Sequence, residues 1–173
     1  MAVSIDTFRA VMSRWSTGIT VITARHDERS HGMVASSFCS VSADPLLVLF
    51  CADQRTRTFP LVEASGAFAV NILSESQDST FRVFAGWKGE PDADKFAGEA
   101  VETAATGSPI LKDSLAWLDC RVYASYPGGN THTIFLGEVV AAGIGEAAEA
   151  DVPPLVYYHR KVRTFAPDPT GED

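Results

Sequence analysis

The chain has 173 residues, 46% of them hydrophobic and 21% charged, with a formal net charge of −8. That composition belongs to a single globular domain able to bury a core without disulfide or metal support. The acidic balance excludes a sequence-independent grip on nucleic acid or on an anionic membrane, so an anionic ligand needs a local positive site.

The three cysteines, Cys39, Cys51 and Cys120, are odd in number and form no short-spaced pair. They read as buried free thiols in a reducing compartment. No charged leader followed by an apolar run opens the sequence, and no apolar stretch reaches membrane-spanning length. The expected location is therefore the cytoplasm, with no membrane and no nucleic-acid partner.

In chain order, Asp6 is the expected N-cap of an opening helix. Phe8, Val11, Met12 and Trp15 fall at i, i+3, i+4 and i+7 and form an apolar stripe that must pack on something. Residues 19–24 change to a β pattern, and 26–30 read as a hairpin tip leading into a strand at 33–38. A loop through Ser40, Val41 and Ser42 follows. Residues 45–51 then form an apolar run of the kind expected from a strand covered on both sides.

Thr56, Arg57 and Thr58 enter a short helix holding Phe59, Leu61 and Val62, with Pro60 tolerated in its first turn and Gly66 ending it. Residues 67–73 are a strand. Ser74 to Gln77 has the capping-box form, and Phe81 and Phe84 make the inward face of the helix that follows. Between 86 and 107 the sequence turns polar and reads as a long surface loop with a short helical piece. Strands at 117–126 and 133–142 flank the turn-rich 127–132, a last strand spans 155–158, and the end is read as disordered. The organisation expected is one domain over 1–165, mainly β, a split antiparallel β-barrel with peripheral α-helices, and a tail at 166–173.

Phosphate-binding Gly-rich loops and nucleophile elbows are absent from the sequence, and the four histidines are too scattered to suggest a metal site. What remains is the stretch 31–58. Ala35, Ser36 and Ser37 let a ligand approach the backbone and offer donors, and Thr56, Arg57 and Thr58 suit an anionic group such as phosphate. His132, at a turn beside glycines, is the titratable residue with most room for a ligand.

The ordered segments STGITVITA, HGMVASSFCSVSADPLLVLFC, RTRTFPL, GAFAVNIL, DKF, GSPIL, LDC, GGNTHTIFLGEV and PPLVYY together resemble the short-chain flavin reductase family, the reductase components of two-component flavin-dependent monooxygenases. The resemblance implies a homodimeric split barrel that binds FMN or FAD and passes a hydride to it from NADH or NADPH. It implies flavin contacts from Met33, Val34, Ala35, Ser36 and Ser37, from Ser40 and Val41, and from Cys51, Ala52 and Asp53. Thr56, Arg57 and Thr58 are implied for the phosphate, with Phe84 completing the flavin set and Tyr158 on the nicotinamide side. The family's Gly-Asp-His-Thr motif falls on Thr131-His132-Thr133, which makes His132 the implied catalytic residue. Thr131, preceded by Asn130, stands where the family has Asp. No basic cluster suited to a 2′-phosphate stands out along the chain. Three other readings stay open at this point: a flavin-bound oxidase or reductase of another acceptor, a non-enzymatic flavin-binding or redox-sensing module, and a barrel that binds no flavin, its hydroxyl-rich loop being structural.

Overall fold

A computed structural model describes residues 2–89, 93–145, 148 and 152–165. Its strands are β1 (Thr17–Gly18), β2 (Thr20–His26), β3 (Arg29–Ala35), β4 (Cys39–Ala43), β5 (Leu46–Asp53), β6 (Ala67–Ile72), β7 (Val101–Thr103), β8 (Pro109–Leu111), β9 (Ala116–Pro127), β10 (His132–Ile144), β11 (Val156–Tyr158) and β12 (Lys161–Arg163). The helices are α1 (Ile5–Met12), α2 (Phe59–Ser65) and α3 (Asp78–Phe84).

Seven strands pair in the order β3-β2-β6-β9-β10-β5-β4, all antiparallel. The sheet curls on itself, because residues from opposite ends of that order meet in one core. Ile22 and Met33 from one end pack in the same cluster as Val48 and Phe50 from the other, around Phe68 and Phe135. The Phe50 ring lies 4.8 Å from Phe68 and 5.4 Å from Phe135, and each such aromatic pair adds about 0.5–1.5 kcal/mol beyond the area it buries. Leu61 and Val62 of α2 close this core from outside the sheet. The result is the mainly β, split-barrel architecture with helices at its edges.

A second core lies on the other face of β2, where Val21 and Ile19 meet Leu73, Phe81, Phe84, Leu111 and Leu155. Because β2 is covered on both faces, Thr20 through Ala24 is buried without interruption. Polar groups trapped there are paired, as burial demands. Asn71 Nδ2 donates to the Val21 carbonyl at 3.0 Å, and Asn71 Oδ1 accepts from Leu111 N–H at 2.8 Å.

Several sequence expectations match. The capping box at Ser74 forms, with Ser74 N–H donating to Gln77 Oε1 at 3.1 Å. Gly66 ends α2 at φ 63°, a left-handed turn that a side chain would strain.

Others are corrected. Ser4, not Asp6, caps α1, its hydroxyl accepting from Thr7 N–H at 3.1 Å. Among the described residues the α1 stripe stays uncovered: Phe8, Val11, Met12 and Trp15 are all exposed. The strand placed at 33–38 runs instead as β3, since His31 and Ser30 pair with Ala24 and Arg25 across the hairpin. The loop through Ser40, Val41 and Ser42 is strand β4, its ladder to β5 interrupted by a register shift between Ser40 and Ser42. The 45–51 run is not covered throughout: Leu46 is exposed, and Leu46, Leu47 and Val48 border an apolar cavity.

Between 86 and 107 the described residues hold no helix, and β7 pairs there with β8. Alternation too short to register as periodicity hid both, and β12 with them. All three cysteines are free, but Cys39 is exposed rather than buried; Cys120 is buried, which pushes its thiol up to about 12. The tail at 166–173 lies outside the described residues.

Candidate functional site

β3, β5 and β10 end at a common rim, and three links hold them in register. Ser37 Oγ, just past β3, accepts from Cys51 N–H at 3.0 Å and donates to the Cys51 carbonyl at 3.2 Å. His132, the first residue of β10, stands directly opposite Asp53, the last of β5. Gln54 then ties the β9–β10 hairpin tip to β5, its N–H donating to the Thr131 carbonyl at 3.0 Å and its Nε2 to Thr133 Oγ1 at 3.1 Å.

At this rim the Arg55 guanidinium and, secondarily, its backbone N–H hold the Asp53 carboxyl well below the usual carboxylate range. Asp53 is therefore an anion at every working pH, pinned by Arg55 Nη2 at 2.6 Å. The residue that stands in place of an orienting carboxylate also finds a role. Thr131 Oγ1 lies 2.9 Å from His132 Nδ1, so a hydroxyl supplies the imidazole's partner.

Behind the rim opens a cavity of about 480 Å³ between β3, the α2 approach, α3 and the segment that follows it. Met33, Val34, Val83 and Phe84 give it an apolar wall; Arg55, Thr56, Arg57, Lys88 and Lys95 give it cations and a hydroxyl. Gly32 permits the close approach of α3 to β3, since a Cβ there would lie 2.6 Å from the Phe84 ring. Lys95 Nζ donates to the Phe84 carbonyl at 2.9 Å and to the Gly32 carbonyl at 3.4 Å, which fixes the ammonium at the wall. Burial first and the Arg57 charge second lower the Lys95 pKa.

His31, also in this wall, is pushed down to about 4 by burial and then by the charges of Lys95 and Arg57. It is therefore neutral, and its Nδ1 pairs with Thr58 Oγ1 at 2.9 Å.

On the far side of the β3 terminus a second cavity, about 640 Å³, lies between α1 and β11. Ser36 and Ser37 line it, with Thr17, Trp15, Tyr157 and Arg160 opposite.

The sequence-derived residues thus divide. Met33, Val34, Thr56, Arg57 and Phe84 share the first cavity, Ser36 and Ser37 face the second, and Cys51, Asp53 and His132 sit at the rim between strand ends. Ala35 and Ala52 are buried, so they offer a ligand only backbone.

Three expectations need correction. Thr58 is fully buried against His31 and acts on the cavity through that imidazole rather than on a ligand. The Thr56 hydroxyl donates to the Asp53 carbonyl at 2.8 Å, so its proton is not available to a ligand. Ser40 borders a separate apolar cavity of about 550 Å³ and Val41 is exposed, because β4 carries them along the sheet edge away from the cations. Of the two tyrosines of β11, Tyr157 lines the α1 cavity, and Tyr158, its neighbour on the strand, points to the opposite face.

His31, Lys88, Lys95 and Arg160 were missed. Two of them lay in segments that match the family pattern, His31 at the start of HGMVASSFC and Lys95 in DKF, but neither was singled out.

A cavity lined by both apolar side chains and cations suits a flat aromatic group joined to phosphate, and this within a protein of net charge −8. Among the described residues no group of three or more His, Cys, Asp or Glu side chains could hold a metal ion, and no helix is long and apolar enough to cross a membrane.

Known proteins resemble this chain over nearly its whole length. Flavin reductase PheA2 superposes with a TM-score of 0.83 at 34% identity, covering 95% of this chain and 99% of its own. The NADH:FAD oxidoreductase SgcE6 of Streptomyces globisporus superposes with a TM-score of 0.84 at 32% identity, over 96% and 98%. The reductase subunit HsaB of a Mycobacterium tuberculosis flavin-dependent monooxygenase is 38% identical over 98% of this chain and 88% of its own. The reductase component of the Thermus thermophilus 4-hydroxyphenylacetate 3-monooxygenase is 35% identical over 91% and 95%. The family model described as "Flavin reductase like domain" matches residues 12–166, and the chain belongs to that family.

Proposed function

We propose that this enzyme oxidises NADH or NADPH and reduces FMN or FAD, releasing reduced flavin to a partner monooxygenase component. The observation that carries the reading is the pairing of an apolar wall, Met33, Val34, Val83 and Phe84, with the cations Arg57, Lys88 and Lys95 in one cavity of an acidic protein. The cations would hold the flavin phosphate, and the backbone of Val34 through Ser37 would carry the ring toward the rim. Bound flavin supplies the two-electron chemistry.

The chain's own work is placement and exclusion of water. Ser37, clamped to Cys51, fixes the backbone at the end of β3. His132, held by Thr131 and opposed to Asp53, presents a hydrogen-bonding group at the rim where the nicotinamide would approach. No side chain need exchange a proton for a hydride to pass between two stacked rings, so the part left to His132 is orientation.

The exposed stripe of α1, beside the Ser36 and Ser37 cavity, and the apolar cavity along β4 and β5 support assembly as a homodimer. Free thiols at Cys39, Cys51 and Cys120 suit the reducing cytoplasm.

Anaerobic mixing of the protein with flavin and NADH or NADPH tests the activity. Protein-dependent bleaching of the visible flavin band is the expected result. A flavin spectrum that shifts on binding but never bleaches would replace the enzyme with a binding module.

A further inference from the structure

His31 stands between cations that come from three segments of the chain. It lines the first cavity beside Arg57 and Lys95, and the three also line an adjoining space of about 550 Å³. Lys95 is fixed one residue along β3 from the imidazole, through its bond to the Gly32 carbonyl. The other charged groups of these two walls are Arg55, Lys88 and Asp94, and from the β2–β3 hairpin Arg25, Glu28 and Arg29. Arg55 is paired with Asp53 and Arg25 with Glu28. Cations outnumber acids around the ring.

The link from His31 to α2 tolerates a second charge state. Nδ1 lies 2.9 Å from Thr58 Oγ1, and Thr58 is fully buried with no capping bond to hold its hydroxyl in one direction. A hydroxyl both donates and accepts. It can therefore donate to a neutral imidazole or accept from a protonated one, and the ring gains a proton without losing its anchor. Nε2 is then the N–H left for the cavity.

Burial first, then the Lys95 and Arg57 charges, keep the ring neutral. A phosphate held by those same two cations offsets both charges and adds an attraction of its own. An opposite charge within about 4–6 Å strengthens proton binding to such a group by about tenfold to a thousandfold.

We propose that His31 is a conditional phosphate ligand: one proton passes from solvent to its imidazole as the flavin phosphate docks between Arg57 and Lys95, and returns to solvent on release. Binding of a phosphate-bearing flavin is thereby coupled to proton uptake, and binding of the bare ring is not. The proposal deepens the flavin reading of the first cavity and rests on it.

The test is an NMR pH titration of the histidine ring signals in the wild-type chain alone, saturated with FMN, and saturated with riboflavin. His31→Gln assigns the signal by its loss, and the three remaining histidines report that the variant is folded. With FMN the His31 midpoint should rise by at least about one pH unit, a tenfold gain in proton affinity, while riboflavin leaves it in place. In parallel, the ratio of FMN affinities of wild type and variant, in which the ionisation of FMN itself cancels, should grow as pH falls from about 7.5 to about 5.5. A midpoint unmoved by bound FMN, a rise of equal size with riboflavin, or a constant affinity ratio would each overturn the proposal. Failure of FMN to bind the wild-type chain would instead refute the reading of the first cavity.

Discussion

β2 and β3 are neighbours in one sheet, yet they do opposite work. Thr20 through Ala24 of β2 is buried on both faces, with side chains in two cores and trapped polar atoms paired. β3 is buried for part of its length only. Beyond Ala35 the chain emerges at Ser36 and Ser37, and along the strand His31, Met33 and Val34 line a cavity with cations on its other wall. Stability comes from strands with two covered faces, and binding from a strand with one face and one end left open. The two should therefore respond differently to substitution.

The largest effect belongs to the core. Phe135→Ala removes a buried ring that packs on Phe50 and Phe59, and should destabilise the fold by about 3–5 kcal/mol in urea unfolding. A loss below 1 kcal/mol would mean that the sheet does not close over this cluster.

Arg57→Ala inverts that pattern. Arg57 is exposed at the wall of two cavities, so stability should move by no more than about 0.5 kcal/mol. Flavin affinity should fall by about tenfold to a hundredfold. If stability fell and affinity held, the residue would be structural.

The smallest effect is a pH dependence that links the two regions through His31. Its pKa in the fold is about 4 against an ordinary 6.5, because burial favours the neutral ring. Between those values the unfolded chain binds more protons, so stability falls as pH drops from about 6.5 to about 4. The loss should be about 1 kcal/mol, since the ring is only half-buried and solvent screens it. His31→Gln should flatten that slope, and an unchanged slope would assign the acid sensitivity elsewhere.

The same contrast sets how much was legible in sequence. Residues buried on one or two sides announce themselves by period: 19–24, 67–73, 117–126 and 133–142 all appear as strands close to where they were read. The capping box at Ser74 and the Gly66 stop were legible because each is a local rule of chain chemistry. The cationic wall was not. Arg55 and Arg57, Lys88 and Lys95, and Arg25 and Arg29 come from three separate segments, and only folding makes them neighbours. For the same reason no basic cluster stood out along the chain.

Thr58 shows the complementary failure. A hydroxyl before a helix looks the same in sequence whether it meets a ligand or, as here, a half-buried imidazole. The α1 stripe was legible as a stripe, but none of the described residues covers it.

The central claim is that the cations of the first cavity hold the flavin's phosphate. Its most direct test compares FMN with riboflavin, the same ring without phosphate, by fluorescence titration of the wild-type chain. FMN should bind at least about tenfold more tightly, a difference set by charge-assisted contacts, and Arg57→Ala should narrow it. Equal affinity for the two would contradict the assignment and leave the cationic wall without a role in flavin binding.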